Sequence, residues 1–205
     1  MNMNGIETSD CLKTFDFGDK EGTKQTKESD KLIHNNIINN PDKPMYDEGE
    51  TFNESFKRTI PMVKKAIDTY PGNSVLVTHN SIFGLIRLWN ELGRRQSWDK
   101  SDRIKYTEQD NKFPTGSVYE MKGKNGPIFI VRHGETEDNL DKLYRRAKAN
   151  LTERGIQQAK DAGKQLRKML GGKSISKLVS SPLPRAVHTA KIITHENGSL
   201  EKKGR

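Results

Sequence analysis

Three apolar segments of this 205-residue sequence end in polar residues that could carry out phosphoryl chemistry. Ile128–Val131 runs into Arg132-His133-Gly134-Glu135-Thr136, Val75–Val77 into Thr78-His79-Asn80, and Leu178-Val179 into a stretch from Ser180 to Arg185. If these segments are parallel strands, their carboxyl ends meet at one edge of a sheet, where α/β proteins bind ligands. Arginine binds phosphate oxygens bidentately and histidine can attack phosphorus. Two histidines and two arginines at one edge therefore predict a phosphoryl site.

The elements that would position these residues follow from hydrophobic periodicity. Apolar residues recur every three or four positions in Thr51–Tyr70, which predicts an amphipathic helix that ends at Pro71-Gly72. The other predicted elements are helices at Ser81–Leu92, Thr152–Met169 and Pro184–Thr194, and strands at Ser74–Thr78, Ser117–Met121, Ile128–Val131 and Lys177–Ser180. Alternating strands and helices predict a single α/β domain, residues 1–205, with three α/β/α layers and a mainly parallel sheet.

Two segments give weaker structural signals. Lys20–Glu50 is polar and shows no sustained periodicity beyond Leu32–Ile38, which predicts a loop or cap. Arg94–Phe113 is polar and charged. Substrate specificity is expected in these two segments. His34 and His195 lie in polar stretches and are expected at the surface.

Composition narrows the classes of function. A single cysteine, Cys11, excludes a disulfide scaffold and a cysteine-rich zinc site. No stretch approaches the ~20 apolar residues of a membrane helix. The polar residues 1–10 do not resemble a secretory leader. These features predict a cytoplasmic protein that does not bind membranes.

The charge is unevenly placed. Residues 1–100 carry 14 Lys+Arg and 15 Asp+Glu, whereas residues 101–205 carry 22 and 12. Such asymmetry favours an anionic partner, either nucleic acid or a phosphorylated ligand. The chain has no RNP, KH or zinc-finger signature and only 7% aromatic residues, which disfavours nucleic acid. A small phosphorylated substrate is the expected partner, with a monomer or a dimer as the expected assembly.

The polar strand ends also carry a family resemblance. Arg132-His-Gly-Glu-Thr136, Ser181-Pro-Leu-Pro-Arg185-Ala-Val-His-Thr-Ala190 and Val77-Thr-His79 resemble motifs of the histidine phosphatase superfamily, the phosphoglycerate-mutase-like proteins. Weaker similarities occur at Leu151–Ala159, Phe15–Gly22 and Gly49–Thr51. The six segments are distributed along most of the chain, from Phe15 to Ala190, and they imply the phosphoglycerate-mutase-like fold.

The order of these motifs differs from the family's. Residues 1–121 resemble the family's C-terminal half and residues 127–205 its N-terminal half, with 122–126 as a joining linker. A circular permutation explains this order, because chain ends close in space can be joined by a polar loop. Two alternatives are a swapped dimer, whose halves come from different molecules, and a fragment of a tandem array.

The resemblance implies a role for each matching residue. His133 would be the nucleophile that forms a phosphohistidine, and Arg132, Arg185 and His79 would bind the transferring phosphoryl group. Asn139, Gly134, Thr136 and Asn80 would contact the phosphate, with Asn80 standing where the family usually has glycine. No metal and no cofactor would be required.

The general acid departs from the family pattern. The resemblance places a glutamate two residues before Asp16, where this chain has Thr14. A threonine hydroxyl cannot act as an acid near neutral pH, so Asp16 is the candidate donor, with Asp19 and Glu21 as alternatives. The sequence therefore predicts a metal-independent phosphatase that hydrolyses a phosphate monoester. The alternatives are a weak or inactive phosphate-binding module and a mutase-type phosphotransferase.

Overall fold

A five-stranded sheet lies at the centre of the part of the chain that the structure describes. The computed structural model describes residues 5–109, 113–144 and 148–198, so both ends of the predicted domain lie outside it. The strands are β1 (Ile6–Thr8), β2 (Ser74–Thr78), β3 (Val118–Gly123), β4 (Gly126–Arg132) and β5 (Lys177–Ser180). Their spatial order is β1-β5-β2-β4-β3, parallel throughout except for the antiparallel β3–β4 pair. The predicted mainly parallel sheet is confirmed.

Helices cover both faces of this sheet. Those in the described residues are α1 (Lys27–Asn39), α2 (Phe52–Thr69), α3 (Asn80–Glu91), α4 (Lys100–Glu108), α5 (Glu137–Leu140), α6 (Glu153–Met169) and α7 (Pro184–Glu196). Side chains alternate across each strand, so Leu76 and Ile130 pack with the core of α1–α4, whereas Val77 and Val131 pack with α6 and α7. The fold is therefore the predicted three-layer α/β/α arrangement, consistent with phosphoglycerate-mutase-like proteins. No helix among the described residues is both long and apolar enough to cross a bilayer.

Helix α2 begins at a capping box formed by Thr51 and Glu54. At the start of α2, Thr51 Oγ1 accepts from the Glu54 amide at 3.0 Å, and Glu54 Oε2 accepts from the Thr51 amide at 2.8 Å. This reciprocal pair satisfies two amides that the first helical turn leaves unbonded. The predicted helix at 51–70 is confirmed within one residue at each end.

Lys20–Glu50 was expected to be a loop or cap, and its central part is a helix, not a loop. Residues Lys27–Asn39 form α1, which is capped by a reciprocal Thr26–Ser29 pair. Only Ile33, Asn36 and Ile37 of this helix are buried, so its periodic signal is short. Packing of α1 on α4 supplies the stabilisation that periodicity did not reveal. Strand β1 was also missed, because three residues are too few for a pattern.

The predicted linker at 122–126 is part of a tight hairpin. Gly123 pairs with Gly126, which leaves Lys124-Asn125 as a two-residue turn between β3 and β4. The turn is anchored on α2 and the segment after it, since the Lys124 amide donates to the Ile67 carbonyl at 2.8 Å and Asn125 Nδ2 to the Tyr70 carbonyl at 3.0 Å. A circular permutation would use this segment to join the N- and C-termini of the usual family order, and in the structure it is an ordered turn at the edge of the sheet.

Candidate active site

Parallel register brings the predicted strand ends together. Thr78 of β2 is level with Arg132 of β4, and Val77 is level with Ser180 of β5. The ladder continues one step further, because the His133 amide donates to the Thr78 carbonyl at 3.0 Å. His79, His133 and Ser181 therefore follow neighbouring strands at one edge of the sheet.

His133 lies fully buried at the centre of this edge. Its Nδ1 is 2.6 Å from the carbonyl oxygen of Gly134. A carbonyl can only accept, so Nδ1 carries the proton in the neutral ring and Nε2 carries the lone pair. The backbone thus selects the tautomer in which Nε2 can act as a nucleophile.

His79 faces His133, with the two ring centroids 5.0 Å apart. Arg185 Nε donates to His79 Nδ1 at 3.3 Å, and His79 Nε2 lies 2.7 Å from Ser181 Oγ. Because Nδ1 accepts, the neutral His79 ring carries its proton on Nε2 and donates to Ser181. His79, Arg185 and Ser181 form one buried hydrogen-bonded group beside His133.

Two guanidinium groups are buried at the site, with Arg132 7% and Arg185 1% exposed. Arg132 Nη1 donates to Asn80 Oδ1 at 2.8 Å and to the Phe113 carbonyl. Asn80 is the first residue of α3, whose N-terminal amides carry partial positive charge. Buried arginines and a helix N-terminus together favour an anion.

The backbone at Gly134 packs directly against the backbone at Gly155. A Cβ on Gly134 would lie 2.1 Å from the Gly155 carbonyl oxygen, at the start of α6. The Gly134 amide donates to Thr189 Oγ1 at 3.1 Å. Close packing therefore requires a glycine at position 134, in addition to the phosphate contact that the resemblance implies.

Thr136 and Asn139 contact each other at the start of α5. Asn139 Oδ1 accepts from the Thr136 amide at 3.1 Å and from its hydroxyl at 3.0 Å. Thr136 is fully buried, whereas Asn139 lines a polar chamber together with Arg132, Lys27 and Lys142. Asn139 both caps the helix and lies near the arginine of the site.

The loop with the candidate acids is anchored by Arg58. Its guanidinium donates to the Thr14 and Lys13 carbonyls at 3.0 Å and to both carboxylate oxygens of Glu50, at 2.5 and 2.9 Å. Thr14 Oγ1 lies 3.3 Å from Ser81 Oγ, on α3. Arg58 therefore holds Thr14 against the helix that begins at the active site.

The carboxylates of this loop differ in their surroundings. Asp16 is exposed; its Oδ1 accepts from the Gly18 amide at 2.9 Å, and it lines a groove with Arg58 and Glu50. Asp19 pairs with Lys20 at 3.1 Å. Partial burial and the nearby Asp16 raise the pKa of Glu21 above its usual value, while the charge of Arg185 lowers it less. The side chain of Glu21 is itself largely exposed, and it lies within electrostatic reach of Arg185.

Sequence reasoning assigned no role to Ser181 and Thr189, which support the site directly. Ser181 contacts His79, and Thr189 links the Gly134 amide to the Arg185 carbonyl, to which it donates at 2.8 Å. Thr189 lies four residues after Arg185 on α7, so helical spacing from a predicted site arginine was the available signal.

Across the described residues, no cluster of three or more His, Cys, Asp or Glu side chains could hold a metal ion.

Comparison with known protein families identifies the family. The model of the histidine phosphatase superfamily (branch 1) matches residues 3–104 and 128–203, well over half of the chain. The chain belongs to the histidine phosphatase superfamily. The gap between the two matched blocks of the histidine phosphatase model contains β3 and the turn that follows it.

Curated members of the superfamily match a shorter region. An adenosylcobalamin/alpha-ribazole phosphatase of Escherichia coli (strain K12) is 42% identical over 67 residues, 32% of this chain and 31% of its own length. A 2,3-bisphosphoglycerate-dependent phosphoglycerate mutase of Bradyrhizobium sp. (strain ORS 278) is 42% identical over 72 residues, 35% and 34%. The match thus spans about a third of the length of each of these two proteins. No solved structure is significantly similar to the chain.

Proposed function

We propose that this protein hydrolyses phosphate monoesters through a phosphohistidine on His133. The observation that carries the proposal is the 2.6 Å contact between His133 Nδ1 and the Gly134 carbonyl. It leaves Nε2 as the nucleophilic nitrogen, buried beside His79 and two arginines. Family membership supports the reaction class, since the relatives named above are phosphatases and mutases.

In the first step, Nε2 of His133 attacks phosphorus and the ester P–O bond breaks. The Nδ1 proton remains on the ring and stabilises the cationic phosphohistidine through the Gly134 carbonyl. Arg132 and Arg185 hold the phosphoryl oxygens, together with Asn139 and the N-terminal amides of α3. A phosphate that displaces the 3.3 Å contact between Arg185 Nε and His79 Nδ1 would leave Nδ1 without a donor, so His79 holds a phosphoryl oxygen only as the imidazolium, with a proton on both ring nitrogens.

Glu21 is the proposed proton donor for the leaving oxygen, in preference to Asp16. Asp16 already accepts from the Gly18 amide and lines a groove with Arg58 and Glu50. The raised pKa of Glu21 leaves more of it protonated at a given pH than an ordinary glutamate would be. In the second step, Glu21 accepts a proton from the water that attacks the phosphohistidine, and inorganic phosphate leaves.

The permuted order is part of the proposal. One chain places the rings of His79 and His133 next to each other, with centroids 5.0 Å apart, so a single copy is sufficient to assemble the pocket. The β3–β4 hairpin would then connect the segments that form the N- and C-termini in the usual family order. The two-block match to the family model supports a permutation within one domain.

The direct test is turnover by the purified protein. We expect hydrolysis of p-nitrophenyl phosphate, with competitive inhibition by vanadate. The Thr14–Ser81 contact favours a second candidate, a module that binds phosphate without catalysis, because no carboxylate occupies the family's acid position. Vanadate binding without hydrolysis at any pH would support that second candidate and reject the first.

The pH dependence tests the proton donor. Since the acid must be protonated, kcat/KM for an alkyl phosphate, which reports the phosphorylation step, should fall as pH rises through the Glu21 pKa, which lies above that of an ordinary glutamate. Glu21→Gln should remove this fall and lower kcat/KM about 10²-fold or more. The loss should be smaller for p-nitrophenyl phosphate, whose leaving group needs no proton.

Asp19→Asn is the matched control, because Asp19 lies on the same loop and pairs with Lys20. It should leave the pH profile unchanged. An unaltered profile in Glu21→Gln, or equal losses for both substrates, would rule Glu21 out as the donor.

A further inference from the structure

The peptide unit between Gly134 and Glu135 carries the carbonyl that accepts the His133 Nδ1 proton, at 2.6 Å. This unit is trans, so the Gly134 carbonyl and the Glu135 amide point in opposite directions within one rigid plane. Rotation of the plane would turn the carbonyl away from His133. A group that holds the Glu135 amide therefore also aims the carbonyl at the ring.

The Glu135 amide is held by a side chain of helix α6. It donates to Gln158 Oε1 at 2.8 Å, and because a backbone N–H can only donate, the glutamine presents its oxygen here. Gln158 is half-buried, and a Cβ on Gly116 would lie only 3.1 Å from Gln158 Cβ. The Gly116 amide in turn donates to the His133 carbonyl at 3.2 Å. Gln158 is thus packed in place beside the segment that it holds.

The flanking peptide units are held by other groups. The Gly134 amide donates to Thr189 Oγ1 at 3.1 Å, and the Glu135 carbonyl accepts from the Thr152 amide at 3.0 Å. These two bonds limit how far the segment can shift. Opposite changes in ψ of residue 134 and φ of residue 135 can still tilt the plane between them, and the missing Cβ of Gly134 makes that rotation easier. The Gln158 bond acts on this middle plane.

We infer that Gln158 is a positioning residue for the nucleophile. By holding the Glu135 amide, it aims the Gly134 carbonyl at His133 and keeps the proton of the neutral ring on Nδ1. Without that acceptor the ring can carry its proton on Nε2, and a protonated Nε2 has no lone pair with which to attack phosphorus. The inference rests on the proposed function, in which Nε2 of His133 is the nucleophile.

Three substitutions on α6 test this role in turnover. Gln158→Met places a methyl group where the accepting oxygen lies, whereas Gln158→Glu keeps an oxygen that accepts. Gln157→Met is the matched control, because Gln157 is exposed and contacts Asp161. With p-nitrophenyl phosphate, whose leaving group needs no proton, kcat/KM should fall about tenfold or more in Gln158→Met. It should stay within about threefold of wild type in the other two variants.

Nitrogen NMR of protein labelled in its five histidines measures the tautomer directly. The His133 resonances are those that disappear in His133→Ala. At a pH where the ring is neutral, wild type, Gln158→Glu and Gln157→Met should carry the His133 proton on Nδ1. In Gln158→Met the Nε2 resonance should shift towards its protonated position, because part of the population changes tautomer.

The tautomer separates this inference from the function on which it rests. Gln158→Met with the wild-type tautomer overturns the inference, whether or not kcat/KM falls, since the fall would then have another cause. Equal losses in Gln158→Met and Gln158→Glu also overturn it, as does a wild-type His133 protonated on Nε2. If the wild type hydrolyses no ester, the phosphatase proposal is rejected, and the tautomer in Gln158→Met alone decides whether Gln158 positions the ring.

Discussion

Replacing His133 with alanine is expected to abolish hydrolysis of phosphate monoesters. Without the ring, no covalent intermediate can form, and Arg132, Arg185 and His79 are left to act on a phosphate that lacks a nucleophile. The loss should be on the order of 10⁴-fold or more in kcat, as for removal of other covalent nucleophiles. Quenching with denaturing detergent at alkaline pH during turnover should trap phosphate that is stable to base and labile to acid on the wild-type protein, and none on His133→Ala.

His195→Ala provides the control for histidine loss. His195 is exposed near the end of α7, away from the strand ends, and its removal should leave kcat unchanged. His133→Ala should keep its vanadate affinity within about tenfold, because the two buried arginines remain. A folded His133→Ala protein that retained wild-type turnover would contradict the phosphohistidine mechanism.

The largest loss of stability is expected from Gly155→Ala. A Cβ at Gly155 would lie 2.1 Å from the carbonyl oxygen of Glu135 and 2.8 Å from its amide nitrogen. Glu135 cannot retreat easily, because its amide donates to Gln158 at 2.8 Å and its carbonyl accepts from Thr152 at 3.0 Å. The substitution must separate α6 from the loop after β4. We expect a loss of more than about 4 kcal/mol in the free energy of unfolding, a large part of a typical total.

Gly171→Ala is a matched substitution at the other end of α6. Gly171 has a φ of 59°, yet no atom lies within 4 Å of its added Cβ. It should lose only about 1–2 kcal/mol, the cost of a left-handed alanine. Urea unfolding of both variants measures the difference. Equal midpoints would contradict the expected clash between residue 155 and the Glu135 backbone.

The sequence predicted the centre of the site because strand pairing fixes it. Parallel strands in register bring residues that follow their carboxyl ends to one edge, so His79, His133 and Arg185 could be grouped before their contacts were known. The same rule says nothing about which nitrogen of a histidine carries the proton. The Gly134 carbonyl and the Arg185 guanidinium decide this, and both are tertiary contacts.

Residues outside the strand ends were harder to place. The cap helix α1 buries few side chains, so its amphipathic pattern is weak and its position depends on α4. Asp16 was the candidate acid because it lies two residues from the family position. In the fold, the Asp16 carboxylate accepts from the Gly18 amide, and the pKa of Glu21 is raised by partial burial and by Asp16 and lowered by Arg185, which is distant in sequence. Neither effect follows from spacing along the chain.

The short Lys124-Asn125 turn reduces the conformational entropy that is lost when β4, the strand that leads to His133, pairs with β3. In this chain β4 pairs with β3 across two residues, so closing that loop costs little conformational entropy. Its parallel partner β2 is far more distant in sequence, and closing such a loop before contacts form is slow. Hairpins form within about 1–10 μs, which would let the strand leading to His133 acquire its register early in folding. In this order of the motifs, the most local pairing of the sheet belongs to the strand that carries the nucleophile.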